Sequence, residues 1–182
     1  MIVPDWRIQE LVESDHVGID PFDPSMVQPA SIDLRLGPKV LRIFGPDEHE
    51  DWLHERSTLE PGYFALGSTV ETIRLPANYC ARFEGKSTLG RIGLATHVTA
   101  GFIDPGFRGQ ITVELVNHSP RPVRLTPGMR IGQLCLMRMT LPCRRPYGTP
   151  GLGSHYQGQT GPTPAVPNSR TARHEPTHKM ED

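Results

Sequence analysis

The chain has 182 residues, enough for one domain with a buried core, and its 18 glycines and 19 prolines interrupt it too often for long helices. A formal net charge of −1 gives no basic footprint for nucleic acid, so an anionic ligand must be held by a local cluster of side chains. Three cysteines (Cys80, Cys135 and Cys143) without a C-x-x-C pair argue against a disulfide framework and for a reducing, cytoplasmic setting. The N-terminal MIVPDWRIQEL lacks the basic region and apolar run of a signal peptide, and no stretch approaches the ~18 apolar residues of a membrane span.

In chain order, Pro4-Asp5 followed by Ile8, Leu11 and Val12 predicts a short N-capped amphipathic helix that ends near Gly18. The proline-rich IDPFDPSMVQP that follows reads as an extended loop. From Ser31 to Leu36, Ile32, Leu34 and Leu36 alternate with Asp33 and Arg35, which predicts a half-buried strand stopped by Gly37-Pro38. Val40 to Phe44 is a second strand. Gly45 to Leu59 is acidic and aperiodic and reads as a surface loop. Strands follow at Tyr63 to Val70, Thr72 to Leu75, Tyr79 to Phe83, Gly109 to Asn117, Val123 to Leu125 and Ile131 to Met139. Short strands at roughly ten-residue spacing define an all-β barrel or sandwich. Residues 147–161 are rich in Gly, Ser and Gln, and residues 162–182 have so few large apolar side chains that disorder is expected there.

The chemically suggestive residues concentrate between Glu84 and Asn117. Gly85-Lys86-Ser87 invites a P-loop reading, but the first glycine of that motif would fall at Cys80. The Gly-Lys-Ser-Thr turn still offers an ammonium, two hydroxyls and backbone N–H groups to a phosphate, and equally fits an ordinary exposed turn. Arg91 sits among small apolar residues, either as a ligand or as a surface cation covering an apolar edge. Asp104, in Ile-Asp-Pro-Gly, is a turn former on residue type alone. Glu114 is an unusual mid-strand glutamate: solvated if its face is open, a proton shuttle if that face closes a pocket. No zinc-deaminase signature is present, so no protein-bound metal is expected.

Taken together, QPASIDLRLG (Gln28 to Gly37), EGKSTLGRIGL (Glu84 to Leu94), HVTAGFIDPGFRGQITVELVN (His97 to Asn117), PGMRIGQL (Pro127 to Leu134) and GSHYQGQTGPTP (Gly153 to Pro164) closely resemble the dCTP deaminases, a family that shares its fold and trimer with the dUTPases. The resemblance implies a distorted β-barrel or jelly-roll of the dUTPase-like (β-clip) type with a short N-terminal helix. It also implies a homotrimer with active sites at subunit interfaces, and a domain of residues 1–161 that includes a closing segment at 147–161. Glu114 would be the general acid/base, with Ser87 and Arg91 assisting. Lys86, Ser87, Thr88, Leu89, Gly90 and Arg91 would hold phosphates and position the water. The backbone around Thr112 and Val113 would read the base, Asp104 would meet the 3′-hydroxyl, and Phe107 would exclude a 2′-hydroxyl. Gln133, Tyr147, His155 and Gln159 match further nucleotide contacts.

Further expectations follow from the same resemblance. The substrates would be dCTP and dUTP, with Mg²⁺ carried by the triphosphate, no zinc, and dTTP as a possible inhibitor. Gly101-Phe102 after Thr99-Ala100 is similar to the bifunctional type, which also cleaves the triphosphate to dUMP and pyrophosphate. The alternatives are a deaminase that releases dUTP, a dUTPase alone, and a silent nucleotide-binding regulator. One departure stands out: the family usually has Lys where this chain has His155, a group largely neutral near pH 7 unless phosphate raises its pKa.

Overall fold

The structure, a computed structural model, describes residues 1–44, 47–54 and 56–166. Helix α1 (Asp5–Glu13) follows an extended Pro4, and Asp5 places negative charge in its first turn, where the helix dipole favours it. Ile8 and Leu11, three residues apart, form its buried stripe. The helix stops earlier than its pattern predicts, because the N–H groups of His16 and Val17 both turn back to the Leu11 carbonyl.

Among the described residues twelve strands follow: β1 (Gly18–Asp20), β2 (Val27–Gln28), β3 (Ser31–Phe44), β4 (Asp47–Trp52), β5 (Thr58–Leu59), β6 (Phe64–Arg74), β7 (Tyr79–Gly85), β8 (Leu94–Ala95), β9 (Phe102–Ile103), β10 (Arg108–Asn117), β11 (Val123–Arg124) and β12 (Arg130–Arg138). A short helix α2 (Ser87–Arg91) lies between β7 and β8. The main sheet is antiparallel, in the order β8-β10-β6-β3-β12-β7-β9, with β1 on β6 and both β2 and β4 on β3; β5 and β11 pair separately. The fold is therefore all-β with a curled sheet. Its core takes Ile32, Leu34 and Leu36 from β3, Ile73 from β6, Phe83 from β7, Leu115 from β10, and Leu134 and Leu136 from β12. Complete burial of each such side chain contributes about 2 kcal/mol. Among the described residues no helix is long and apolar enough to cross a membrane.

Four local readings change. Gly37-Pro38 does not stop a strand: β3 runs through it for 14 residues and absorbs it in an irregularity between Leu36 and Val40. Proline is tolerated at such a bulge, and the glycine is required, since a Cβ at position 37 would lie 2.9 Å from Ser68 Oγ and 3.1 Å from Ser68 O. The segment read as two strands from Tyr63 to Leu75 is likewise one strand, β6. The acidic segment read as a loop contains β4, paired with β3 from Lys39 to Phe44, and β5, whose Leu59 is buried; Gly45, Pro46 and Glu55 lie outside the described residues. Edge strands carry charge, and charge hides the period-two signal. The Lys86–Thr88 turn opens the short helix α2.

The curl is concentrated where β3, β6 and β10 cross. Three residues of β6 (Thr69, Val70 and Glu71) stand opposite the single residue Ile111 of β10. Ile111 N–H, without a ladder partner there, donates to Thr69 Oγ1 at 2.9 Å. Glu71, 2% exposed, accepts from Arg35 N at 2.9 Å and from Arg35 Nε at 2.6 Å. Removing one partner of a buried pair strands the other in a poorly solvated site. Glu71→Ala is expected to lower unfolding free energy by about 3–5 kcal/mol, and Thr69→Val by about 1–3 kcal/mol, in urea titrations. Wild-type midpoints in both variants would show that the bulge is held by side-chain packing alone.

Candidate active site

β10 positions the central carboxylate. Along it Gly109, Ile111, Val113, Leu115 and Asn117 are buried, while Gln110, Thr112, Glu114 and Val116 are only partly covered. The face carrying Glu114 is not open solvent. It forms one wall of a cavity of about 400 Å³, together with Phe64, Leu66, Phe83, His97, Phe102, Asp104, Phe107, Thr112, Tyr147, Tyr156 and Gln159. Glu114 Oε2 accepts from Val98 N–H at 2.6 Å and from Thr99 N–H at 3.3 Å, and Oε1 has no partner among the described residues. One oxygen is fixed by two backbone donors and the other is available, a suitable arrangement for a group that must move a proton at a set position.

The loop supplying those donors is tied to β7. Phe83 N–H donates to Gly101 O at 2.7 Å, and a Cβ on Gly101 would lie 2.8 Å from Phe83 O. Gly101 is thus small because the β7 backbone presses on it, while its neighbour Phe102 is 57% exposed at the cavity mouth. His97 stacks edge-on to Phe83 with ring centres 6.4 Å apart, and its buried Nδ1 has no partner.

Asp104 and Phe107 bracket a tight turn: Phe107 N–H donates to Asp104 O, and Gly106 adopts φ +89°. Asp104 is exposed and Phe107 is buried, its ring 5.9 Å from that of Tyr147. Tyr147 N–H donates to Pro105 O, and Tyr147 Oη accepts from Tyr156 N–H at 3.0 Å. From there the chain lies along β10. Gly158 N–H donates to Arg108 O, Gln110 N–H donates to Gln159 O at 3.0 Å, and Gln159 Nε2 donates to Gln110 O at 2.7 Å. Residues 162–166 continue over the cavity, with Thr163 N–H near Thr112 Oγ1 at 3.4 Å and Val166 N–H on Tyr156 Oη at 3.2 Å; the rest of the segment expected to be disordered lies outside the described residues. Between the tail at Gln110 and β8 at Val116, no strand among the described residues pairs with the outer edge of β10. A second cavity of about 450 Å³ adjoins the first through Phe102, Asp104 and Tyr147; burial pushes up the thiol pKa of Cys80 in its wall.

Of the residues singled out from sequence, the chain brings together Phe102, Asp104, Phe107, Thr112, Glu114, Tyr147 and Gln159 around one cavity, with Gly101 and Val113 just behind its walls. Lys86, Ser87, Thr88, Leu89, Gly90 and Arg91 do not line it, and neither do Gln133 or the exposed His155. That second group has its own order. Leu89 anchors α2 in the core, Ser87, Thr88, Gly90 and Arg91 face outward, and Lys86 Nζ lies 2.6 Å from Asp33 Oδ1. Gln133 Oε1 accepts from Ser31 Oγ at 2.9 Å. Tyr156, Phe83 and the apolar wall of Phe64 and Leu66 were missed from sequence. Tyr156 lay inside a quoted motif, but nothing in strand periodicity points Phe64 at a cavity.

A curled antiparallel sheet thus carries a pinned carboxylate, aromatic walls and a strap from the same chain around one concave, largely apolar cavity, the form small-molecule sites take. The family model described as dCTP deaminase-like matches residues 2–139, and the chain belongs to this family. A "dCTP deaminase, dUMP-forming" of Mycobacterium sp. (strain KMS) is 49% identical over 181 residues, covering 91% of this chain and 95% of that one. A protein of the same name from Bifidobacterium longum (strain DJO10A) is also 49% identical, covering 91% of this chain and 93% of that one. Among solved structures, a 2′-deoxycytidine 5′-triphosphate deaminase from Agrobacterium tumefaciens aligns with TM-score 0.63 and 28% identity, over 74% of this chain and 47% of that longer chain.

At Gly106 an added Cβ would meet Pro146 Cβ at 2.5 Å and the Tyr147 backbone at 2.9 Å. Gly106→Ala is expected to lower the thermal midpoint, with a loss of about 1–3 kcal/mol, and to speed tryptic cleavage after Arg144 as the 146–166 strap detaches. Unchanged cleavage kinetics would mean that the strap is held independently of this turn.

Proposed function

We propose that this chain deaminates dCTP at C4 of the base and hydrolyses the resulting triphosphate to dUMP and pyrophosphate. The observation that carries the reading is Glu114, held by Val98 and Thr99 N–H at the wall of a cavity sized for a nucleoside. In the deamination, Glu114 accepts a proton from the attacking water as its oxygen bonds to C4. It returns protons to N3 and to the departing amino group, and ammonia leaves as the C4 carbonyl forms. The second step adds water across the α–β phosphate linkage. The two relatives that are 49% identical bear the dUMP-forming name, which favours the bifunctional outcome over release of dUTP.

Gln110 turns its N–H and C=O to the outer edge of β10, and two residues on Thr112 does the same without a strand partner among the described residues, which supports base reading by the backbone around Thr112 and Val113, the N–H and C=O of Val113 itself facing β6. In this reading Asp104 meets the sugar 3′-hydroxyl and Phe107 packs on the deoxyribose, leaving no room for a 2′-hydroxyl; both line the cavity. Mg²⁺ enters with the triphosphate as part of the substrate. The site is completed by a neighbouring subunit of a homotrimer with a dUTPase-like barrel fold. The Lys86–Arg91 group lies off the cavity wall of its own chain, and exposed apolar surface, Ile92 (49%) next to that group and Val98 (54%) and Phe102 (57%) beside the cavity, is left for a partner to cover.

Incubation with dCTP and Mg²⁺ is expected to yield ammonia, dUMP and pyrophosphate without accumulating dUTP; accumulating dUTP would remove the second step. Glu114→Gln keeps the shape but not the proton transfer, so kcat for ammonia release is expected to fall by roughly 10²–10⁴-fold while nucleotide still binds. Retained turnover would reassign the acid/base. Light scattering is expected to give the mass of three chains, and a monomer with full activity would refute the shared site.

A further inference from the structure

The motif PGMRIGQL contributes Gln133 to the reading above and leaves Arg130 without a role. Its position is unusual. From Gly132 to Leu134, β12 pairs with β3 in regular register (Gly132 with Leu34, Gln133 with Asp33, Leu134 with Ile32). Continued without interruption, that register would set Arg130 against Leu36, on the buried face. Instead one extra residue is accommodated between Arg130 and Gly132, and Arg130 pairs with Arg35. Because strand side chains alternate, a one-residue irregularity transfers everything beyond it to the opposite face. Arg130 therefore emerges on the same face as Asp33 and Gln133. The local geometry demands glycine beside it: a Cβ on Gly132 would meet the Phe83 ring at 2.1 Å.

On that face Arg130 Nη1 lies 3.2 Å from Asp33 Oδ2, and Lys86 Nζ lies 2.6 Å from Asp33 Oδ1. The Asp33 side chain is 0% exposed, whereas Arg130 is 49% and Lys86 25% exposed. One buried carboxylate thus holds two cations, one on each oxygen, and the trio keeps a net positive charge directed at solvent. A guanidinium fixed at one nitrogen retains further N–H donors for an oxyanion. The neighbouring Arg35 adds nothing, being committed to Glu71. Asp23, a half-buried residue nearby, is held below the usual carboxylate range chiefly by the Ser25 hydroxyl and backbone N–H, with Arg35 and Arg130 adding to it.

We infer that Arg130 is a second phosphate-binding cation beside Lys86, serving the β- and γ-phosphates of the nucleotide, and that Asp33 is the positioning residue that aims both. The inference rests on the nucleotide-hydrolase reading above. The bulge turns Arg130 outward, the buried carboxylate sets its direction, and Lys86 supplies its partner.

The test compares wild type with Arg130→Gln, Arg130→Lys and Asp33→Asn, using dCTP turnover and calorimetric binding of inorganic tripolyphosphate, which does not depend on deamination. Arg130→Gln is expected to raise KM for dCTP and Kd for tripolyphosphate by roughly five- to tenfold, with a smaller change in kcat and a shallower salt dependence; Arg130→Lys is expected to recover most of the affinity. Asp33→Asn makes the cluster more positive, so charge alone predicts tighter binding, whereas loss of aim predicts weaker binding. Weaker binding is expected, with thermal midpoints confirming that each variant is folded. Tripolyphosphate affinity of Arg130→Gln within twofold of wild type would overturn the inference, leaving Arg130 as a counter-ion of Asp33. If Asp33→Asn does not fold, the two Arg130 variants decide the question alone. A wild-type chain that binds tripolyphosphate but releases no ammonia from dCTP would defeat the proposed function and leave the Arg130 assignment to the calorimetry.

Discussion

The ion pair between half-buried Arg35 and buried Glu71 is the constraint from which the rest of the site takes its geometry. It sits where β3, β6 and β10 must all bend, and it ties the β3 backbone to a β6 side chain at the point where the ladder has surplus residues. Without a polar lock, that surplus would slide, because a bulge is only an irregularity in register and registers compete. Thr69 finishes the lock by taking the Ile111 N–H that the bulge leaves unpaired. The strand thus fixed is the one that delivers Thr112, Val113 and Glu114.

The parity of each irregularity decides what it does. At the β6–β10 and β3–β6 crossings the register shifts by two residues, which bends the strands and leaves every side chain on its original face. Glu114 therefore keeps the phase of its strand and faces the cavity. In β12 the shift is by one, and the face inverts. The fold puts one device to two uses, to curve the sheet and to aim a cation.

Much of this was legible in the chain. Alternation in β3, β10 and β12 is strong because each has one face on the core, and the helix pattern of Ile8 and Leu11 is equally plain. Alternation does not say what covers the other face. Asp33 reads as the polar side of a half-buried strand, and is in fact fully buried between two cations. Strand β4 was invisible because its composition is that of a solvated loop, and Gly37-Pro38 read as a stop because bulges have no period. Glu114 remained open on residue type alone; the order of the motifs singled it out, and the backbone donors of Val98 and Thr99 supply the physical reason. Lys86 to Arg91, Gln133 and His155 were legible as residues of the family but lie away from the cavity of their own chain. No pattern within one strand encodes that separation.

The strap over the cavity has another consequence. By exchanging hydrogen bonds between Gln110 and Gln159, and between Arg108 and Gly158, it runs beside the first half of β10 as an added strand would. A bare row of N–H and C=O groups there would be a template for pairing with another molecule. The segment that walls the cavity thus also covers this stretch of the sheet edge. Detaching the strap from the cavity would therefore bare this stretch of sheet edge as well.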